Sequence, residues 1–422
     1  MDAGDAAWVL ASAALVLFMT PGLALFYGGM DRSRNVLNML MMNFWCLLIV
    51  PIVWVTVGFS LAYAGAGEYI GNTDWFFLKG MGISAEDAGG DGGTLLLAVA
   101  FLGMFACITP ALISGAVAGR MKFAAWAIFV PVWIVLVYCP VSFWIYGGYW
   151  GEGVVTGFLG ARGSLDFAGG TVIHINAGIA ALAAVMVLGK RRGWPKEGSP
   201  PHSMPLVMLG TGILWMGWFG FNAGSAFAAN GTAIQAFLNT FLAAAAGGLA
   251  WGTVERLKDG HFTNLGVASG IVAGLVAITP GAGFVSGMSP IYIGLAAGLV
   301  CVFAVRLKFK AGYDDALDVV GVHFVGGLTG SLLIGFFADP EFFGGTNMAG
   351  LFYGGGAELL LEQAIAAVVT IVFSFVVTFL ILKVLDLIMG IRVDEESEET
   401  GLDLSQHAET AYQTAGQRME RV

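Results

Sequence analysis

Long apolar runs broken by short polar stretches set the rhythm of the chain. Runs dominated by Leu, Val, Ala, Phe and Gly occupy residues 6–28, 37–63, 94–117, 124–145, 167–188, 204–229, 234–255, 263–281, 289–307, 316–337 and 359–388. An α-helix rises about 1.5 Å per residue, so about 20 apolar residues cross a hydrocarbon core of about 30 Å. Inside that core every backbone N–H and C=O must find its partner within the segment, which helices achieve. The pattern predicts an all-α integral membrane protein with eleven transmembrane helices.

Composition agrees, with 57% of the 422 residues hydrophobic and 11% charged, where soluble domains carry about a quarter charged. A chain this apolar is not disordered. The 19 basic against 29 acidic residues give a net charge of -10, without the basic excess of a nucleic-acid binder. Four Cys in 422 residues do not make a disulfide scaffold. Cys46, Cys107, Cys139 and Cys301 all fall within apolar runs, so they are expected as small buried hydrophobes.

Charge placement gives an orientation, because Lys and Arg in short loops stay on the cytoplasmic side. With the N-terminus outside, the inner loops receive Arg32, Arg34, Arg120, Lys122, Lys190, Arg191, Arg192, Lys196, Arg256, Lys258, Arg306, Lys308 and Lys310, and the tail receives Arg392, Arg418 and Arg421. Lys79 and Arg162 remain outside, among Glu68, Asp74, Glu86, Asp87, Asp91, Asp339 and Glu341. Met1 to Trp8 holds Asp2 and Asp5 but no basic residue, unlike a secretory leader, so the first helix is expected to be retained. The chain divides into a membrane domain, 1–389, and an acidic cytoplasmic tail, 390–422, which taken alone reads as solvated.

Polar groups inside the membrane are costly and mark function. His174 and His323 lie inside the fifth and tenth runs. Each is roughly 12 Å from opposite faces of the hydrocarbon core, so both reach similar depth near the midplane. Two neutral imidazoles can share one hydrogen bond and leave their outer nitrogens to a passing molecule; equally, each can be a separate core histidine bonded to backbone. Asp166 precedes the apolar, Gly-containing stretch ending in His174, and Asp318 precedes the one ending in His323. That match points to runs one to five and six to ten as inverted repeats with a site between them. Each Asp can cap backbone N–H groups at a helix start or present its charge to a cation. Among 63 Gly, the pairs Gly115/Gly119, Gly220/Gly224, Gly294/Gly298 and Gly326/Gly330 suit close helix packing.

Phe26-Tyr27-Gly28-Gly29, the segment Phe105 to Leu112, the run Asp166 to Asn176, the segment Gly217 to Ala226 and the run Asp314 to His323 together resemble the ammonium transporters of the Amt/Mep/Rh superfamily, closest to the microbial Amt branch. The resemblance runs from the first helix to the tail. It implies a homotrimer in the cytoplasmic membrane, each protomer with its own pore for ammonium or ammonia. By motif, Phe105 and Phe221 resemble a stacked aromatic gate, Ser225 a hydroxyl of an outer recruitment site, and His174 with His323 a twin-His pair. Asp166 and Trp218 join the outer site in this reading, and Phe26 joins the inner pore.

One position departs from the family pattern. Where a Trp usually precedes a Gly pair in the outer site, this chain has Tyr146 before Gly147 and Gly148, a weaker cation–π ring with an added hydroxyl. Trp144 falls on another helix face. The remaining aromatics are expected in lipid-facing belts. The tail run Gly401 to Tyr412 resembles a segment that packs on the cytoplasmic face, with Ala408 where the family commonly has Gly. Prokaryotic relatives receive a PII-type signalling protein on that face. The alternative on the same scaffold is an ammonium sensor signalling through the tail. A membrane enzyme would need a nucleophile, metal or phosphate motif, and no G-x-S-x-G, H-E-x-x-H or P-loop run is present. No cofactor is implied.

Overall fold

The computed structural model describes residues 2–82, 91–198, 200–343 and 349–412; Glu86, Asp87, Arg418, Glu420 and Arg421 lie outside them. Among the described residues 11 helices are long and apolar enough to cross a membrane: α1 Ala3–Met30, α2 Val36–Tyr63, α3 Gly93–Val117, α4 Phe123–Tyr146, α5 Gly170–Leu188, α6 Met204–Gly224, α7 Gly231–Lys258, α8 Asn264–Gly281, α9 Ser289–Ala311, α10 Val320–Phe337 and α11 Glu358–Met389. The protein is an all-α, multi-pass membrane protein. Two ends differ from the sequence expectation in a way that bears on the site. α6 stops at Gly224, so Ser225 to Asn230 form a turn, and α10 starts at Val320, so Asp315 and Asp318 stand before it.

Among the described residues four helices contain a wide, π-type turn: Trp54–Gly58 in α2, Ile134–Tyr138 in α4, Gly170–Ile175 in α5 and Val320–Phe324 in α10. In α2 and α4 the wide turn follows Pro51 and Pro131, which lack the N–H that would continue the ladder. In α5 and α10 it carries the two histidines. An inserted residue turns the side chain away from the regular helical stripe, and such turns recur at functional sites.

α1 packs along α6, and α7 packs on α8 and α9, while α5 is enclosed by α3, α10 and α11. α5 and α10 cross at glycines. A Cβ on Gly178 would collide with the Phe324 backbone, and one on Gly327 would lie 2.9 Å from the His174 Cβ. No larger residue allows that approach. Contrary to the belt expectation, Trp54, Trp126 and Trp133 are fully buried. Their indole N–H groups donate to Val99 O, Met42 O and Thr378 Oγ1, meeting the need of a buried indole for an acceptor. All four Cys are free and buried.

The described residues of the tail, 390–412, are docked on the bundle, contrary to the solvated reading of its composition. Of two short helices that pack on each other, α12 Glu395–Thr400 and α13 Leu402–His407, the second lies on the ends of α2 and α4. Asp403 Oδ1 accepts the Asn38 N–H at 2.8 Å, and Leu402 N donates to Asn35 Oδ1 at 3.0 Å. Asn35 offers α2 no side-chain cap of its own, so Asp403 supplies one from the tail. His407 packs edge-on to Phe123 at 5.0 Å. Arg392 bonds Leu188 O and the buried Glu398.

Candidate functional site

A chamber of about 210 Å³ opens on one side of the bundle, lined by residues that include Phe105, Tyr146, Trp150, Asp166, Ser225 and Phe227. Its floor is a pair of stacked rings, Phe105 and Phe221, with centroids 4.1 Å apart and planes 16° from parallel. Beneath them lies a second chamber of about 10 Å³, lined by Met19, Leu23, Ile108, Leu112, Ile173, Leu214, Trp218, Phe221 and the two histidines. That space is about enough for one water-sized molecule. The stacked rings lie between the two chambers, Phe105 lining the upper and Phe221 the lower.

His174 and His323 face each other across the lower chamber, Nδ1 to Nδ1 at 3.3 Å. They are 1% and 3% exposed, so the pair is withdrawn from solvent. A nitrogen-to-nitrogen hydrogen bond needs one ring protonated and the other bare at that atom. His174 Nε2 is buried and has no hydrogen-bond partner among the described residues. Trp218 stacks on His174 at 5.5 Å and 18° and is pinned by its N–H to Thr279 Oγ1 at 2.8 Å.

Asp166 receives all four free N–H groups that open α5. Oδ1 accepts from Gly169 at 2.9 Å and Gly170 at 2.6 Å, and Oδ2 accepts from Thr171 at 2.8 Å and Val172 at 3.1 Å. Burial pushes its pKa up, and these four bonds oppose the rise without cancelling it. It caps α5 and also lines the outer chamber.

At α10 the corresponding residue is Asp315, where the sequence reading had Asp318. Asp315 Oδ2 accepts the Val320 N–H at 2.7 Å. It stands eight residues before His323, as Asp166 stands eight before His174. Asp318 is instead held by Lys308 Nζ at 2.5 Å, and its backbone is in the left-handed region at φ 64°. Lys308 also bonds the Asp315 carbonyl at 2.8 Å, so the loop before α10 is anchored through both.

Ser225 Oγ donates to Phe221 O at 2.8 Å and keeps its lone pairs for the outer chamber. Tyr146 reaches the same chamber, its buried Oη beside the carboxylate of Asp166. Trp144 turns elsewhere, donating to Tyr69 O at 2.8 Å and packing on Phe373 at 4.5 Å. One sequence assignment is corrected: Trp218 belongs with the histidines below the stack and does not line the outer chamber. Phe26 is buried beside Tyr27 at 5.9 Å. Trp150 and Phe227, which no motif singled out, do line the outer one; the adjacent Tyr149-Trp150 pair in a Gly-flanked loop was the visible trace.

The profile of the Ammonium Transporter Family matches residues 7–412. The chain belongs to that family. An ammonium transporter of Mycobacterium tuberculosis is 49% identical, covering 98% of this chain and 91% of the relative. Amt1 of Archaeoglobus fulgidus is 41% identical over 98% of this chain and all of its own. Mep2 of Candida albicans superposes with a TM-score of 0.84 at 33% identity, covering 94% of this chain and 88% of Mep2. A sensor Amt protein superposes with a TM-score of 0.85 at 28% identity, covering 96% of this chain and 98% of that structure. Family members of this kind are membrane transporters, not enzymes.

Proposed function

We propose that this protein conducts ammonium across the cytoplasmic membrane along the two chambers: at the Phe105–Phe221 stack the ion gives up a proton, the ammonia passes the lower chamber, and the proton is handed along the bonded His174–His323 pair to the other side, so that one net charge crosses with each ammonia. The single observation that carries this reading is the succession of rings and imidazoles: an aromatic, hydroxyl-bearing outer chamber, a stacked gate, then two buried histidines bonded to each other. Ammonium donates four hydrogen bonds and is drawn to ring faces, so Ser225, Tyr146 and the rings hold it as water leaves. Asp166 contributes charge at the same place. Below the stack a chamber of about 10 Å³ favours a neutral molecule, because an ion stripped of water there would lack compensation. Ammonia keeps a lone pair and three N–H groups to trade with the imidazoles. Potassium has no proton to lose and is turned back.

The outward N-terminus, the inward tail, the inverted halves and a homotrimer with three pores belong to this reading. The asymmetry of the loop charges and the paired Asp-to-His segments support the first three. The docked tail offers a cytoplasmic surface suited to a PII-type partner. The test is an ammonium gradient across proteoliposomes with a pH dye inside. An ammonium-dependent change in internal pH that an equal potassium gradient does not produce supports conduction. Saturable ammonium binding with no such change supports a sensor in its place.

A further inference from the structure

Leu165 lies in the extended segment before α5, so no helix of its own supplies partners for its backbone N–H and C=O, which must be met from elsewhere. α11 meets both. Gln363 Oε1 accepts the Leu165 N–H at 2.6 Å, and Gln363 Nε2 donates to Leu165 O at 2.8 Å and to Ser331 O of α10 at 3.0 Å. One side-chain amide thus pairs the two main-chain groups of Leu165, as a neighbouring strand would, and spends its second N–H on α10. Glu362, the residue before it, takes Arg162 in two bonds of 2.9 Å, so the segment entering α5 is stapled to α11 at two places. Gln363 is 1% exposed, and Leu165 packs with Phe284, Ile334, Ala338 and Leu359, surroundings in which a lost hydrogen bond is costly.

The residue so held is the neighbour of Asp166, whose carboxylate receives the N–H groups that open α5, and His174 stands in the same opening turn. Ser331 brings its hydroxyl within 3.4 Å of Thr171 Oγ1. α11 lies against both α5 and α10, and the reading of two inverted halves leaves it without a counterpart. Polar groups in a span are costly, yet the buried face of α11 carries Gln363, Thr370, Ser374 and Thr378, while Leu361, Val368, Val372 and Leu380 are exposed. Ser374 continues the contact inward, donating to Asn176 O of α5 at 3.1 Å.

We propose that Gln363 is a positioning residue for the imidazole pair: by clamping Leu165 to α10 it fixes where Asp166 opens α5, and so sets His174 against His323. The effect on flux rests on the conducting role proposed above, whereas the clamp is read without flux. Gln363→Met keeps the length of the side chain and removes all three bonds. Gln363→Glu keeps the acceptor and, when protonated, one donor. Hydrogen exchange in detergent reads the clamp, and ammonium currents of the two variants, each taken relative to wild type from mildly acid to mildly alkaline pH, read its consequence.

In Gln363→Met the amides of residues 165–172 are expected to exchange roughly 5- to 100-fold faster, the worth of buried groups left unpaired, with those of α1 and α7 unchanged. Its current is expected to fall about tenfold or more, as for a reacting group displaced by about 1 Å. Gln363→Glu is expected to carry more current than Gln363→Met, most of all at low pH, where its carboxyl can donate. Wild-type exchange at 165–172 in Gln363→Met overturns the proposal, as do equal currents from the two variants at every pH where the wild type conducts. Faster exchange throughout the bundle overturns it too, since Gln363 would then serve packing in general. Faster exchange confined to 165–172, in a protein whose wild type carries no ammonium current, leaves the clamp standing and removes the conducting role.

Discussion

Gly327 stands so close to His174 that a Cβ on it would lie 2.9 Å from the histidine's own Cβ and 3.1 Å from Gly170 O. The crossing of α5 and α10 is thus closed on the residue that forms half of the imidazole pair. Gly327→Val is expected to cost about 1–3 kcal/mol of stability through overpacking. It should also cut ammonium flux about tenfold or more, because a displacement of about 1 Å at a reacting group is costly. Flux measured in proteoliposomes at matched protein density checks this. Wild-type flux from the variant would mean that the tight crossing does not seat the pair.

The tail is fastened by a cap given to another helix. Asp403→Ala removes the acceptor for the Asn38 N–H and is expected to cost about 1 kcal/mol. Limited proteolysis of the tail should become several times faster, with the membrane helices unaffected. An unchanged cleavage rate would show that the hydrophobic contacts of Leu402 and the ring contact of His407 suffice.

Ala408 ends α13 in the left-handed region at φ 54°, which explains the preference for Gly at this place. Ala408→Gly relieves a steric cost and is expected to stabilise the docked tail by about 0.5–1 kcal/mol net of backbone entropy. Hydrogen exchange of the amides in Leu402–His407 should slow. Faster exchange would contradict the assignment.

Two buried carboxylates are expected to titrate on opposite sides of the ordinary value of 3.8. Burial raises Asp166 despite its four N–H bonds. Its stabilising contribution is complete below the unfolded pKa and is lost as pH rises through the higher folded pKa. Burial also acts to raise Asp314, but the bonds from Arg191 and the charges of Arg191 and Arg120 outweigh it. Its contribution is complete above the unfolded pKa and is lost as pH falls through the lower folded one. Mild acid should therefore protonate Asp166 while the Arg191–Asp314 pair, at 2.8 Å, still holds. The infrared carboxyl band missing in Asp166→Asn should appear above pH 3.8 on acidification; its appearance only below that pH would reverse the assignment.

The eleven helices were legible because the bilayer demands long apolar runs whatever the tertiary detail. The depth of His174 and His323 followed from the same lengths. Hidden from the sequence were the places where helices depart from regularity. The wide turns at Gly170–Ile175 and Val320–Phe324 aim the histidines, yet no periodicity announces them. Three Asp crowd the approach to α10, and the Gly-containing rhythm pointed to Asp318. The equal spacing of eight to each His picks Asp315, and only the capping bond to Val320 decides it. Trp218 stands three residues before Phe221 in sequence but lines the lower chamber, its N–H tied to Thr279 of α8. Trp150 reaches the site through a loop, whose path is set by packing.

The central claim is that the two imidazoles carry a proton-shedding substrate through one continuous lumen. Ammonium pulses on solid-supported membranes, comparing wild type with His174→Ala, test it most directly. The account predicts a sustained wild-type current, absent with potassium, that the His174→Ala substitution abolishes. A brief transient of unchanged size in both proteins would contradict it.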